Sequence, residues 1–372
     1  MKSFSTFLGT ALLAAASFCV QAETKLLSKT IPLLENQESV HLGEIKVKEK
    51  KGIIEEIVFA ADEASRKYLS KVWVQTKRGD KFYAELRANE WLFKTDVPIV
   101  NQGTLYLKGE LSSAFSIKNK LQLELKSLRY KGQEAEKLSG QTVAVRAGVA
   151  VRSKGQDKVH TYRIPGLSRA KDGTLLAIYD VRRENGRDLQ GHMDIGLSRS
   201  QDGGQTWLPM QIVLDMGEYG GLPEDLNGVS DACVLVDENT GRIFIAGTWM
   251  HTDFRELRGK KGWIHQWHGG CPGPGLKPTE TPQYLLAHSD DHGKTWSKPY
   301  SITEQVKKKE WKLFCPAPGR GLTLSDGTLA MPAQGRDENG KPFSCFIYSQ
   351  DGGKTWKRSE SQALKTPHGT TE

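Results

Sequence analysis

The chain reads as all-β: a β-sandwich first, then an incomplete β-propeller of about three blades. Three observations lead there. An octapeptide recurs as Ser200-Gln-Asp-Gly-Gly-Gln-Thr-Trp207, Ser289-Asp-Asp-His-Gly-Lys-Thr-Trp296 and Ser349-Gln-Asp-Gly-Gly-Lys-Thr-Trp356. All three fit Ser-x-Asp-x-Gly-x-Thr-Trp, and such self-similarity marks a repeat architecture. A longer unit also recurs around these boxes. Gly166-Leu167 leads to the turn Asp172-Gly173-Thr174-Leu175 and an apolar run ending at Arg182, while Gly321-Leu322 leads to Asp326-Gly327-Thr328-Leu329 and a run ending at Arg336. Finally, Leu121, Leu123 and Leu125 alternate with Gln122, Glu124 and Lys126 in the first part of the chain, the period of a half-buried strand.

Taken in order, Met1 to Ala22 has one charge, Lys2, then an almost wholly apolar or small run from Phe7 to Val20 and a small-residue cleavage site at Val20-Gln21-Ala22. That is the layout of a secretory signal, so an exported protein (periplasmic, cell-surface or secreted) is expected, with an uncleaved anchor as the alternative. Residues 23–145 form the expected sandwich. Within it, Val72-Trp-Val-Gln-Thr76 and Lys81-Phe-Tyr-Ala-Glu85 flank Lys77-Arg78-Gly79-Asp80, which predicts a hairpin with Arg78-Gly79-Asp80 at its tip, not an adhesion motif. Residues 146–372 hold the repeated unit, with blades starting near Thr161, Gly228 and Phe314 and a looser turn copy between Asp231 and Trp249. Four antiparallel strands per unit make a propeller blade. The second blade is lengthened by His251 to Pro282, rich in Gly, Pro, Trp and His, and so long an insertion in a compact repeat is expected to be functional or mobile. The box aspartates Asp202, Asp291 and Asp351 are read as structural: each accepts backbone N–H groups of its own turn, Gly permits positive φ, and Trp packs into the blade.

Composition narrows the function classes. The 372 residues carry a formal net charge of +8 and a mean hydropathy of −0.50. After the N-terminus no stretch approaches ~18 apolar residues, so no membrane span is expected. The basic residues are scattered among acidic ones, which argues against nucleic acid; Lys46 to Lys51 is the densest run. Cys233, Cys271, Cys315 and Cys345 remain after signal removal; export permits disulfides, but four cysteines allow three pairings. Cys233 and Cys345 sit in strand-like apolar runs and read as small buried residues. His265 and His268 flank Trp267 with no completing ligand set nearby, so neither a metal nor a cofactor is expected.

Tyr162-Arg163-Ile164-Pro165, followed by the three boxes, resembles the sialidases, enzymes that remove terminal sialic acid from glycoproteins, glycolipids and oligosaccharides. The resemblance implies sialylated glycans as partners, a six-bladed propeller of which this chain spells out three blades, and, weakly, a lectin-like character for the first domain. Arg163 matches the first of the family's three carboxylate-binding arginines. An arginine suits that task because its planar fork binds both oxygens of a carboxylate; on the innermost strand of a blade it should face the central cavity. Asp180-Val181-Arg182-Arg183 and Asn185-Gly186-Arg187-Asp188-Leu189-Gln190 resemble the segment holding a second substrate-contacting arginine and the general acid, which implies that Arg182 lies beside the sugar's O4 and that Asp188 donates the proton to the leaving oxygen. Its loop setting suits an exposed, movable acid. Asp231, in Asn227-Gly-Val-Ser-Asp231, matches an aspartate on the same O4 side, with a turn cap as the plain alternative. Trp249 and Met250 are candidates for the acetamido pocket or for core. Thr370-Thr371-Glu372 resembles the segment whose glutamate activates a tyrosine nucleophile in a retaining mechanism, the tyrosine being an exception among glycosidases.

Tyr162 and Tyr179 stand in other motifs than the nucleophile's, and the nucleophilic tyrosine and the second and third arginines are expected beyond residue 372. The sequence thus reads as a fragment of a longer gene product. A non-catalytic sialoglycan-binding protein, a trans-sialidase and an unrelated propeller with the same boxes are the competing readings. Residues 23–372 are expected to give no robust turnover of a fluorogenic sialoside; robust turnover would overturn that expectation.

Overall fold

The computed structural model describes residues 24–28, 32–34, 39–49, 51–100, 103–112, 115–251 and 274–360. The expected signal at 1–22, His265, His268, Cys271 and Glu372 lie outside the described residues. The chain divides after Gly148 into two compact units.

The first unit contains β1 (Lys25–Ser28), β2 (Leu33–Leu34), β3 (Val40–Lys46), β4 (Lys51–Ala61), β5 (Leu69–Gln75), β6 (Lys81–Arg87), β7 (Glu90–Val100), β8 (Thr104–Leu111), β9 (Lys120–Tyr130) and β10 (Glu136–Gly148). They pair in the order β1-β3-β8-β5-β6-β7-β4-β9-β10-β2, antiparallel except for β2 on β10. The path curls back on itself. A Cβ at Gly43 on β3 would meet Val143 Cγ1 on β10 at 2.8 Å, although the two strands are near opposite ends of that order. Leu121, Leu123 and Leu125 of β9 are fully buried in the resulting core with Leu42, Ile45, Phe59 and Phe93. Burial at every second residue is the pleat expressed as packing. Arg78-Gly79-Asp80 does sit in the β5–β6 turn, where Gly79 takes φ 103° and Thr76 Oγ1 donates to Asp80 across 2.8 Å. A short helix, α1 (Glu63–Tyr68), interrupts the strands; Asp62 caps it by accepting from Ser65 N–H at 2.7 Å, which the strand periodicity did not foretell.

The second unit is built of blades. Blade one comprises β11 (Thr161–Arg169), β12 (Leu175–Arg182), β13 (Met193–Ser200) and β14 (Gln211–Leu214). Blade two comprises β15 (Val229–Val236), β16 (Ile243–Trp249), β17 (Gln283–Ser289) and β18 (Tyr300–Ser301). In blade three the first position is shared by β19 (Leu313–Pro316), β20 (Gly319–Arg320) and β21 (Leu322–Thr323), and β22 (Leu329–Arg336), β23 (Pro342–Ser349) and β24 (Lys357–Arg358) follow. β20 leaves its own blade and pairs in parallel with β15, Cys233 opposite Gly319. The first strands crowd one another: a Cβ at Gly166 would lie 2.6 Å from the Gly319 carbonyl oxygen, so the absence of a side chain there sets how closely blades one and three approach.

The boxes repeat one hydrogen-bond pattern three times. Asp202 accepts from Thr206 N–H at 2.9 Å and Thr206 Oγ1 at 2.6 Å, Asp291 from Thr295 at 2.9 and 2.6 Å, and Asp351 from Thr355 at 3.0 and 2.6 Å. In each, the serine hydroxyl donates to the aspartate and accepts from the glycine N–H two residues after that aspartate. Later boxes also seat against the preceding blade. Gly293 faces Leu176 and Leu197 of blade one, and Gly353 faces the Phe244 ring of blade two. Trp356 is buried, whereas Trp207 and Trp296 are half-buried. Cys233, Cys315 and Cys345 are buried.

The box bonds bear on acid stability. The hydroxyl and N–H of Thr206 hold the Asp202 carboxyl down to about 2 from an ordinary value of 3.8. A depressed folded-state value means that the stabilisation is complete above about pH 4 and is lost as the pH falls through 2. Carboxyl carbon shifts followed by NMR should show Asp202 titrating nearly two units below an aspartate in the unfolded chain, and Thr206→Val should bring it back toward 3.8.

Candidate active site

Two bulges shape the site. In β11 the pairing with β12 slips between Arg163 and Gly166, with Ile164 at φ 54°; in β15 the pairing with β16 slips between Ser230 and Cys233, with Asp231 at φ 61°. A bulge inserts a residue and re-aims the side chains around it. Both occur at the same end of a first strand, and both carry a residue singled out from the sequence. A left-handed conformation at a non-glycine residue costs about 1–3 kcal/mol, so neighbouring contacts must hold it in place.

Arg163 and Arg182 converge on Asp188. Arg163 Nη1 donates to Asp188 Oδ1 at 3.1 Å and to the Gly186 carbonyl at 3.2 Å. Arg182 Nη1 reaches the same Oδ1 at 2.8 Å, together with the Gly186 and Arg187 carbonyls at 3.1 and 2.7 Å. Asp188 is 39% exposed and Arg163 43%, while Arg182 is only 1% exposed. Asp188 is thus open to solvent on one side yet pinned by two guanidinium groups, more restrained than a swinging loop acid. Both hydrogen bonds of Arg163 leave from Nη1, so its Nε–Nη2 edge is the fork a carboxylate would take.

The loop that carries Asp188 is tied to blade two. Gln190 donates to the Met250 carbonyl at 2.6 Å and accepts from Gly228 N–H at 3.2 Å, and buried Leu189 packs with Met193 and Met250. Met250 therefore serves the loop's packing. Trp249, by contrast, lines a cavity of about 430 Å³ with Tyr219, Gln283 and Tyr300, its ring edge-on to Tyr219 at 4.8 Å.

Asp180 and Ser230 were not singled out from the sequence. The Asp180 carboxylate is completely buried. Its Oδ2 accepts from Arg182 Nε at 3.2 Å, Arg182 Nη2 at 2.8 Å and Ser230 Oγ at 3.1 Å, and its Oδ1 accepts from Asp231 N–H at 3.0 Å. Burial pushes this carboxyl up, against the opposing pull of Arg182 and the donors. The signal was available: residues two apart on a strand share a face, so Asp180-x-Arg182 inside an apolar run is a pair. Nearby, burial and Asp215 push Asp194 up to about 6 against Arg183, which donates at 2.6 Å.

The tyrosine hydroxyls of this region are committed elsewhere. Tyr162 donates to the Gln156 carbonyl at 3.0 Å, and Tyr179 shares a 2.6 Å bond with Ser198. Among the described residues no group of three or more His, Cys, Asp or Glu side chains could hold a metal.

The BNR repeat-like domain family matches residues 164–365, just over half of the chain. The chain is 42% identical over 250 residues to a sialidase of Bacteroides fragilis (strain YCH46), covering 67% of this chain and 44% of that protein. The chain belongs to the sialidase family. Membership places it among the glycoside hydrolases. A sialidase of Paraclostridium sordellii is 32% identical over 203 residues, 52% of this chain and 45% of that protein. Among solved structures, the Hadza microbial sialidase Hz136 superposes with a TM-score of 0.71 at 29% identity, covering 91% of this chain and 71% of that one. The chain thus spans somewhat under half the length of these two curated relatives.

The two arginines differ in what they support. Arg182→Ala leaves the buried Asp180 charge unpaired and should cost about 3–5 kcal/mol. Arg163→Ala removes an ion pair exposed on both sides and should cost about 0–1 kcal/mol. Urea unfolding of both variants checks the contrast, and equal losses would refute it.

Proposed function

We propose that this site takes the terminal sialic acid of a sialylated glycan and serves exo-α-sialidase chemistry. The observation that carries the reading is the convergence of Arg163 and Arg182 on one oxygen of a half-exposed Asp188. In this reading the substrate carboxylate lies against the Nε–Nη2 edge of Arg163, where two parallel charge-assisted bonds replace its hydration. Arg182 and Asp231 take the O4 side of the sugar. Asp188, within reach of the same guanidinium groups, gives its proton to the glycosidic oxygen as the bond to the anomeric carbon breaks, and later takes one from the attacking water. Retention of configuration requires a nucleophile on the opposite face. The family resemblance assigns that role to a tyrosine activated by Glu372, and the bonding of Tyr162 and Tyr179 leaves neither suited to it. A tyrosine avoids setting an anionic nucleophile against an anionic substrate. Export of the protein and a lectin-like role for the first unit belong to the same proposal, supported by the sequence pattern of residues 1–22 and by the curled β architecture of residues 24–148.

The test is binding, since it does not depend on the nucleophile. Titrating N-acetylneuraminic acid into the chain under ¹⁵N NMR should give saturable shifts in Arg163 and in the Gly186–Asp188 loop. Loss of a charge-assisted bond costs about 1.5–3 kcal/mol, so Arg163→Ala should weaken the affinity by about ten- to a hundredfold. No saturable binding, or binding undiminished in that variant, would sink the assignment.

A further inference from the structure

Asp180 is sealed from solvent, and its two oxygens accept from Arg182, Ser230 and the Asp231 N–H. We infer that Asp180 is a positioning residue that sets Arg182 and Asp231 in register across the joint between blades one and two, and so determines recognition of the sugar's O4 side. The inference rests on the sialoside reading for the identity of the ligand, but its geometric content does not.

A fully buried carboxylate is expensive unless every lone pair is met. A plain packing role at this joint would be filled at lower cost by an apolar side chain of similar size. What the charge adds is direction. By accepting from Nε and Nη2 of Arg182, Asp180 occupies the inner edge of that guanidinium and leaves Nη1 to point outward at Asp188 Oδ1, 2.8 Å away. Arg182 is 1% exposed, so protein contacts and not solvent fix how its outer nitrogen is presented: Asp180 holds the inner edge, and the Gly186 and Arg187 carbonyls accept from Nη1 beside Asp188. The other oxygen of Asp180 reaches into blade two and takes the N–H of Asp231 at 3.0 Å. That peptide belongs to the bulge at which Asp231 takes φ 61°. The contact thus compensates an unfavourable backbone state and sets the direction in which the Asp231 side chain leaves the strand. Ser230 completes the joint, with its hydroxyl 3.1 Å from both Asp180 Oδ2 and Asp231 Oδ1. One carboxylate on β12 therefore holds, through two oxygens, a guanidinium of its own blade and a strained peptide of the next.

Positioning and mere support predict different outcomes. The probes are N-acetylneuraminic acid and its 4-deoxy analogue, and the variants are Asp180→Asn, Ser230→Ala and, as a control of comparable stability loss, Leu197→Ala in the core of blade one. The wild-type chain should prefer the parent sugar by about tenfold or more, the worth of a hydrogen bond to a charged group. In Asp180→Asn the preference should fall to within about twofold with overall binding retained through Arg163, whereas Leu197→Ala should keep it. Ser230→Ala should lie between the two, and it decides the matter if Asp180→Asn does not fold. A ligand-free measurement accompanies these. Hydrogen exchange at Asp231 N–H and Arg182 Nε–H should accelerate at least tenfold in Asp180→Asn or Ser230→Ala relative to Leu197→Ala. Unchanged exchange in the folded Asp180 and Ser230 variants overturns the inference whether or not the sugar binds. If the wild-type chain binds neither sugar, the sialoside reading fails while the exchange data still decide the positioning role. If both sugars bind and Asp180→Asn discriminates as well as wild type, the inference is wrong and the sialoside reading stands.

Discussion

A carboxylate sealed from water has to be surrounded by donors, and the site is organised by how that demand is met at Asp180. Two of its donors come from Arg182 on the same strand, and the other two come from Ser230 and the Asp231 amide on the next blade. Because the donors straddle a blade boundary, satisfying one charge joins two repeats at the buried heart of their contact. Arg182 can then project a cation toward Asp188 with its side chain almost wholly buried. Asp231 can persist in a backbone state that the isolated strand would avoid. Arg163 works from the other direction. It is well exposed and reaches the same Asp188 oxygen through Nη1, so the fold leans on it far less than on Arg182.

Much of this was legible in the amino-acid order. The boxes declared themselves because each needs a serine, an aspartate, a glycine and a threonine at fixed offsets to close one turn, and such local demands survive as a written pattern. Strand starts near residues 161, 228 and 314 fell within about a residue of the observed β11, β15 and β19, since turn glycines and apolar runs bracket them. The family motif singled out Arg163, Arg182 and Asp188, and the fold brings the three together.

What was missed depended on contacts between repeats. Asp180 looked like one more residue of an apolar strand because its partners at 230 and 231 are fifty positions away. The bulge at Ile164 leaves no mark in composition, since a β-branched residue rarely takes φ above zero; Asp tolerates it better, but one Asp ahead of an apolar strand does not announce a bulge. Met250 was weighed for the sugar pocket, but it packs beneath the loop that carries Asp188 because Gln190 ties that loop to its carbonyl. Pairing of β20 with the neighbouring blade could not be inferred from a repeat unit that assumes every blade keeps its own strands.

The strand exchange makes blades two and three share backbone. In a solenoid of self-sufficient repeats the terminal module can be peeled away, leaving its neighbour intact. Here Gly319 and Arg320 pair with Cys233 and Val234 at the edge of β15, so detaching the third blade would strip backbone partners from the strand that carries Asp231. Gain or loss of a whole repeat by duplication or deletion is therefore penalised at this seam, and the blades are constrained to fold, persist and diverge as a linked set.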